Sequence, residues 1–106
     1  MIPIRVFIAE SHDQVRRELV ARLTREKEIA VVGDSAQGDE TLRRCAALQP
    51  DVVLLDDALD NGGGAEVCKQ ITTLKNPPAV FVLSAYDDAA RRSKFSEAGA
   101  RHFILK

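Results

Sequence analysis

Six polar residues stand where apolar runs stop: Glu10 and Ser11 after Ile4 to Ala9, Asp56 and Asp57 after Val52 to Leu55, Ser84 after Ala79 to Leu83, and Lys106 after His102 to Leu105. Carboxylates, a hydroxyl and an ammonium gathered in one crevice suit phosphoryl transfer. Carboxylate oxygens hold a hard divalent cation. The cation and the ammonium then offset charge on the transferring group, which needs positioning and electrostatics more than covalent machinery. In that chemistry Asp56 would be the nucleophile and would become an acyl phosphate.

These residues meet only if the apolar runs are strands of one sheet. Pro50 to Asp56 is the clearest run: Val52-Val53-Leu54-Leu55 has no polar alternation, as in a parallel strand buried on both faces. Ile4 to Ala9, Ile29 to Val32 (ended by Gly33), Ala79 to Leu83 and His102 to Leu105 are predicted as the other strands. Helices are predicted over Asp13 to Glu26, with Ser11 or Asp13 as N-cap, and over Asp39 to Leu48, closed by Pro50. Two more are predicted over Ala65 to Leu74 and over Asp88 to Ala98, the last capped by Gly99. Asn61-Gly62-Gly63-Gly64 is expected to be a flexible loop. Strict alternation implies an α/β fold with a parallel sheet and helices on both faces. In such sheets ligands bind beyond the carboxyl ends of the strands, which is where the six residues fall.

The chain has 106 residues, 45% hydrophobic and 29% charged, with 15 basic and 16 acidic side chains and a net charge of -1. That length fits one domain with a real core. The charge balance gives no global drive toward nucleic acid or an anionic membrane. Apolar runs are too short to span a bilayer, and the N-terminus lacks a signal-peptide layout, so a cytoplasmic protein is expected. Cys45 and Cys68 lack metal-ligand spacing and are expected to be buried thiols. Gly33 to Gly38 is not a phosphate loop, because no Lys-Ser/Thr follows. Ala58 removes the second acid of an Asp-x-Asp phosphatase motif. His12 and Tyr86 are expected to be structural or solvent-facing, and Arg91, Arg92 and Lys94 to form a solvated helix face.

The chain resembles the receiver domain of bacterial response regulators, most similarly the NarL-LuxR class. The resemblance is carried by Ile4 to Glu10, His12, Val31 to Asp34, Pro50 to Asp56, Val82 to Asp88 and Ala98 through Lys106, in order and at matching spacing. It implies a flavodoxin-like (CheY-like) doubly wound five-stranded sheet of strand order 2-1-3-4-5. It implies a phosphorelay switch rather than an enzyme, with Asp56 as the phosphoacceptor. Ser84 and Lys106 would contact the phosphoryl group, and Phe103 would be the aromatic switch position. Glu10 and Asp56 would hold Mg2+, with Ser11 at the usual acidic position. Implied partners are a histidine kinase and a C-terminal helix-turn-helix DNA-binding domain of the full-length protein. The fifth strand is followed by no helix, so residues 1–106 read as a receiver incomplete at its C-terminus. An apolar patch between the first helix and the sheet is expected, inviting a homodimer.

Three residues depart from the family pattern. Ser11 replaces an acid, and a neutral hydroxyl is a poor magnesium ligand. Asp57 stands where a hydrophobic residue is usual, and Asp60 where a proline is usual; Gly64 matches the loop glycine. Strand alternation points Asp57 away from Asp56, so it is not expected to replace the lost acid. Losing the proline should loosen the loop. A second reading therefore stands beside the first: a degenerate receiver that acts as a phosphate-independent interaction module. A flavodoxin-like cofactor protein shares the strand order, but the first loop has neither flanking aromatics nor a phosphate cradle.

Overall fold

In the computed structural model, which describes residues 2–106, strands and helical segments alternate along the chain. The strands are β1 (Ile4–Ala9), β2 (Ile29–Ser35), β3 (Val52–Asp56), β4 (Ala79–Ser84) and β5 (His102–Leu105). The helices are α1 (Asp13–Thr24), α2 (Gly38–Leu48), the single turn α3 (Leu59–Gly62), α4 (Gly64–Thr72) and α5 (Ala89–Glu97). All strand pairs are parallel, in the order β2-β1-β3-β4-β5. The chain begins at the second position of the sheet, steps outward once, then returns and builds away on the other side. That reversal lies between β1 and β3 and opens a crevice at their carboxyl ends. Glu10 and Asp56 sit there.

Alternation along the strands decides what each face buries. Phe7 and Ala9 of β1, Val53 and Leu55 of β3, and Val80 and Val82 of β4 point to one face. There they pack with Cys45 of α2, Val67, Cys68 and Ile71 of α4, and Phe95 of α5. Both thiols are free and buried, and burial raises Cys45 to about 12 and Cys68 to about 11. Neither thiol forms appreciable thiolate at neutral pH.

The opposite face is thinly covered. Among the described elements α1 alone lies on it, and no residue of α1 is fully buried. Leu23 faces Val6, Val52, Leu54 and Phe81 across an apolar groove of about 230 Å3. Ile4 in its wall is exposed, as is Ile104 on the same face of β5. The expected apolar patch is therefore present. No helix among the described residues is long and apolar enough to cross a membrane.

Several local expectations are corrected. Gly33 does not end the second strand, which continues to Ser35 past an irregularity opposite Val6 and Phe7. A Cβ at Gly33 would meet the Phe7 ring at 2.8 Å and Arg44 Nη2 at 2.9 Å. The glycine thus admits a close approach inside the strand rather than a turn. His12, not Ser11 or Asp13, occupies the N-cap of α1 and makes no side-chain cap. The glycine-containing loop is an organised turn rather than an open one. Asp60 and Asn61 adopt left-handed conformations, and both Asp60 carboxylate oxygens accept from the Gly38 N–H at 3.1 Å. Asp60 thereby ties the loop to the N-terminus of α2, where a carboxylate also complements the helix dipole. Gly99 at φ 99° closes α5 as expected.

Candidate functional site

The chain turns out of β1 and β3 at adjoining positions, and both turns deliver a carboxylate with almost no access to water. Glu10 and Asp56 are each 1% exposed. Lys106, just beyond β5, reaches across to both. Its Nζ donates to Asp56 Oδ1 at 3.0 Å and to Glu10 Oε1 at 3.2 Å. The reach is set by the backbone: the Lys106 N–H donates to the Ser84 carbonyl at 2.6 Å, continuing the β4–β5 ladder to its last residue.

Two further donors reach Asp56. Oδ1 accepts the Ala58 N–H at 3.1 Å, and Oδ2 accepts the Ser11 hydroxyl at 2.9 Å. Glu10 Oε2 accepts the His12 N–H at 3.1 Å and lies 3.4 Å from His12 Nδ1. Arg16 fastens the turn from below, donating to the Glu10 carbonyl at 3.0 Å and to Asp34 at 3.0 Å.

These contacts set the charge state of the site. Burial by itself would raise the Asp56 carboxyl. The Lys106 ammonium, the Ala58 N–H and the Ser11 hydroxyl outweigh it and hold the Asp56 carboxyl below the usual carboxylate range. For Lys106, burial works against the charged form, but the hydrogen bonds to Asp56 and Glu10 prevail and raise its ammonium. Asp56 is thus ionised throughout the physiological range, as a nucleophile must be.

A divalent cation fits this donor set. One ligand atom each from Glu10, His12 and Asp56 lies within 4.8 Å of the others. Two of the three are carboxylate oxygens, the donors a hard cation prefers. Ser11 contributes a hydroxyl that is already donating to Asp56.

Not every expected residue joins this group. Ser84 is fully buried, and its hydroxyl faces away from Asp56. It donates to Asp57 Oδ2 at 2.6 Å, with the Tyr86 carbonyl as an alternative acceptor at 3.1 Å. Asp57, 4% exposed, also accepts from Arg91 Nη1 at 2.7 Å. As alternation required, Asp57 leaves the strand opposite to Asp56. The solvated face expected for Arg91 is corrected: Arg91 turns inward to a buried carboxylate. Tyr86 is solvent-facing as expected, with Arg91 Cζ 5.3 Å from its ring centroid. Phe103 is half-buried, 6.1 Å from the Phe95 ring and beneath Arg92 at 5.0 Å. Sequence reasoning found Asp57 but missed its partners. The available signal was its parity with Ser84 on the sheet.

The family described as response regulator receiver domain matches residues 6–106. The transcriptional regulatory protein LiaR of Bacillus subtilis is 35% identical over 103 residues, 97% of this chain and 49% of that protein. The DNA-binding transcriptional activator DevR/DosR of Mycobacterium tuberculosis is 31% identical over 97% of this chain and 48% of its own length. The chain thus spans about half the length of the curated relatives it matches. Among solved structures, the signal receiver domain of NarL from Mycobacterium tuberculosis superposes with a TM-score of 0.92 at 30% identity, covering 99% of this chain and 85% of that one. The response regulator domain of Thermotoga maritima CheB gives a TM-score of 0.88 at 29% identity, covering 98% and 78%.

Lys106 is the cation that makes two adjoining buried carboxylates tolerable. Removing one partner of a fully buried pair costs roughly 3–5 kcal/mol. Lys106 is 32% exposed, so we expect Lys106→Met to lower stability by about 1–3 kcal/mol in urea unfolding at neutral pH. Because Asp56 is lowered on folding, its contribution is present above pH about 4 and is lost as pH falls below that. In Lys106→Met this acid limb should move to higher pH. An unchanged limb would contradict the assignment.

Proposed function

Because the chain belongs to the response regulator receiver family, we propose that it accepts a phosphoryl group on Asp56 from a histidine kinase and relays the change to a DNA-binding output domain. The observation that carries this reading is the buried Asp56, which shares the Lys106 ammonium with the equally buried Glu10 at the carboxyl edge of the sheet. In the transfer, an Asp56 oxygen attacks the phosphorus of a phosphohistidine. A P–O bond forms, the P–N bond breaks, and its electron pair returns to the imidazole nitrogen. Oδ2, which accepts only the Ser11 hydroxyl, has the lone pair to attack. Lys106 then moves from carboxylate to phosphoryl oxygen with little travel.

Glu10 and Asp56 would hold magnesium. When bound, the cation offsets charge on the transferring group. Ser84 and Lys106 are the proposed phosphoryl contacts, and Phe103, against α5, is the proposed switch aromatic. The domain acts as a switch, since Asp56 is itself the acceptor. An output of helix-turn-helix type is supported by relatives named as transcriptional regulators at about twice this chain's length. Such a kinase-fed, DNA-directed switch works in the cytoplasm. The apolar groove beneath Leu23 supports a homodimer through the α1 face.

Titrating magnesium and beryllofluoride while following backbone amides by NMR tests the reading. The Ser84 and Lys106 amides should shift at millimolar magnesium. Ser11→Asp, which restores a charged oxygen beside Asp56, should tighten magnesium binding roughly tenfold or more. No response in either protein would instead support the phosphate-independent module. For the dimer, light scattering should give a mass that rises with concentration and falls back when Leu54→Lys places a charge in the groove; a strictly monomeric protein contradicts it.

A further inference from the structure

A phosphoryl group on Asp56 requires a hydroxyl proton that Ser84 has already committed elsewhere. Ser84 Oγ donates to Asp57 Oδ2 at 2.6 Å and accepts the Tyr86 N–H at 3.0 Å. A serine hydroxyl has one proton to give. Its present acceptor is a carboxylate, and hydrogen bonds to ionised acceptors are the shorter and stronger ones. Asp57 is also buried, so losing the serine proton would leave a poorly hydrated carboxylate short of a donor. The two acidic side chains are consecutive in sequence but point to opposite faces of the sheet. Ser84 on the neighbouring strand therefore serves either the Asp57 side or the Asp56 side, not both.

Arg91 makes this contact more than a local one. Its Nη1 donates to the same Asp57 oxygen at 2.7 Å. Its Nε is buried and has no hydrogen-bond partner among the described residues. Arg91 stands in the first turn of α5, and its guanidinium also lies over the Tyr86 ring. Ser84, Asp57, Arg91 and Tyr86 thus join the end of β4, the end of β3 and the start of α5 through one carboxylate.

We propose that Asp57 is a positioning residue that holds Ser84 turned away from Asp56, and that breaking this contact transmits occupancy of Asp56 to α5 through Arg91. The proposal rests on Asp56 being the phosphoacceptor. A hydrophobic residue in place of Asp57 would leave Ser84 with only the weaker Tyr86 carbonyl to release. The aspartate therefore biases the switch toward its unliganded arrangement. It weakens the response to a group at Asp56 by the strength of one charge-assisted hydrogen bond.

The test compares the full chain with Asp57→Asn and Asp57→Val in beryllofluoride titrations at fixed magnesium. Backbone amides of Ser84 and Tyr86 and the Arg91 Nε–H are followed by NMR. Val is a sound alternative should Asn impair folding, because a β-branched residue suits the strand end. Both variants should bind beryllofluoride roughly ten- to a hundred-fold more tightly than the unaltered chain. Their Tyr86 and Arg91 signals should already lie, without ligand, toward the liganded positions of the unaltered chain. In a Ser84→Ala background, replacing Asp57 should leave the affinity unchanged. If the unaltered chain responds and the Asp57 variants bind no more tightly, the latch is overturned while the phosphoacceptor reading stands. If no variant responds, Ser11→Asp included, the phosphoacceptor reading falls and the latch with it.

Discussion

Two carboxylates with almost no access to water share one ammonium at the carboxyl edge of the sheet. Glu10, Asp56 and Lys106 come from the ends of three strands, and the cluster constrains all of them at once. Bringing two like charges together in a poorly hydrated crevice is unfavourable unless a cation and enough donors accompany them. The strand order supplies the cation: β4 alone separates β3 from β5, close enough for a lysine to span. Backbone pairing of Lys106 with Ser84 then fixes where that side chain starts. Moving β5 by one residue would turn Lys106 to the other face and strand both acids.

The same period of two that aims Asp56 at the crevice aims Asp57 at α5. One strand end therefore feeds two separate polar systems. The first is open to the crevice edge through Lys106 and His12 and can exchange partners with an incoming ligand. The second is built on the buried Asp57 carboxylate and joins β4 to α5 through the partly exposed Arg91. Ser84 sits between them, which gives the domain a discrete element with two hydrogen-bonding arrangements. Gly64 permits this compactness, since a Cβ there would lie 2.8 Å from the Asp57 carbonyl. The backbone of α4 thus presses directly on the turn that orients both acids.

Most of the frame was legible in the sequence because it depends on local pattern. The uninterrupted Val52 to Leu55 run, the alternation of strands with amphipathic helices, and polar residues directly after apolar runs are all short-range signals. They located β1, β3, β4 and β5 and placed Glu10, Asp56 and Ser84 at one edge; Lys106, a terminal lysine, stood out only through the family resemblance. What escaped depends on partners distant in sequence. Gly33 reads as a strand stop until Phe7 and Arg44 are seen packed on it. Asp60 reads as a loosened loop until its carboxylate meets the Gly38 N–H, 22 residues earlier. Arg91 reads as part of a basic solvated face, since nothing local marks which of Arg91, Arg92 and Lys94 turns inward.

The central claim is that Asp56 is a competent phosphoryl acceptor even with Ser11 in place of an acid. Intact-mass measurement after incubation with a small acyl-phosphate donor and magnesium tests it most directly. The account predicts a mass gain of one phosphoryl group that is lost on hydroxylamine treatment and absent in Asp56→Asn. A chain that stays unmodified at millimolar magnesium, or an Asp56→Asn variant modified to the same extent, would contradict it.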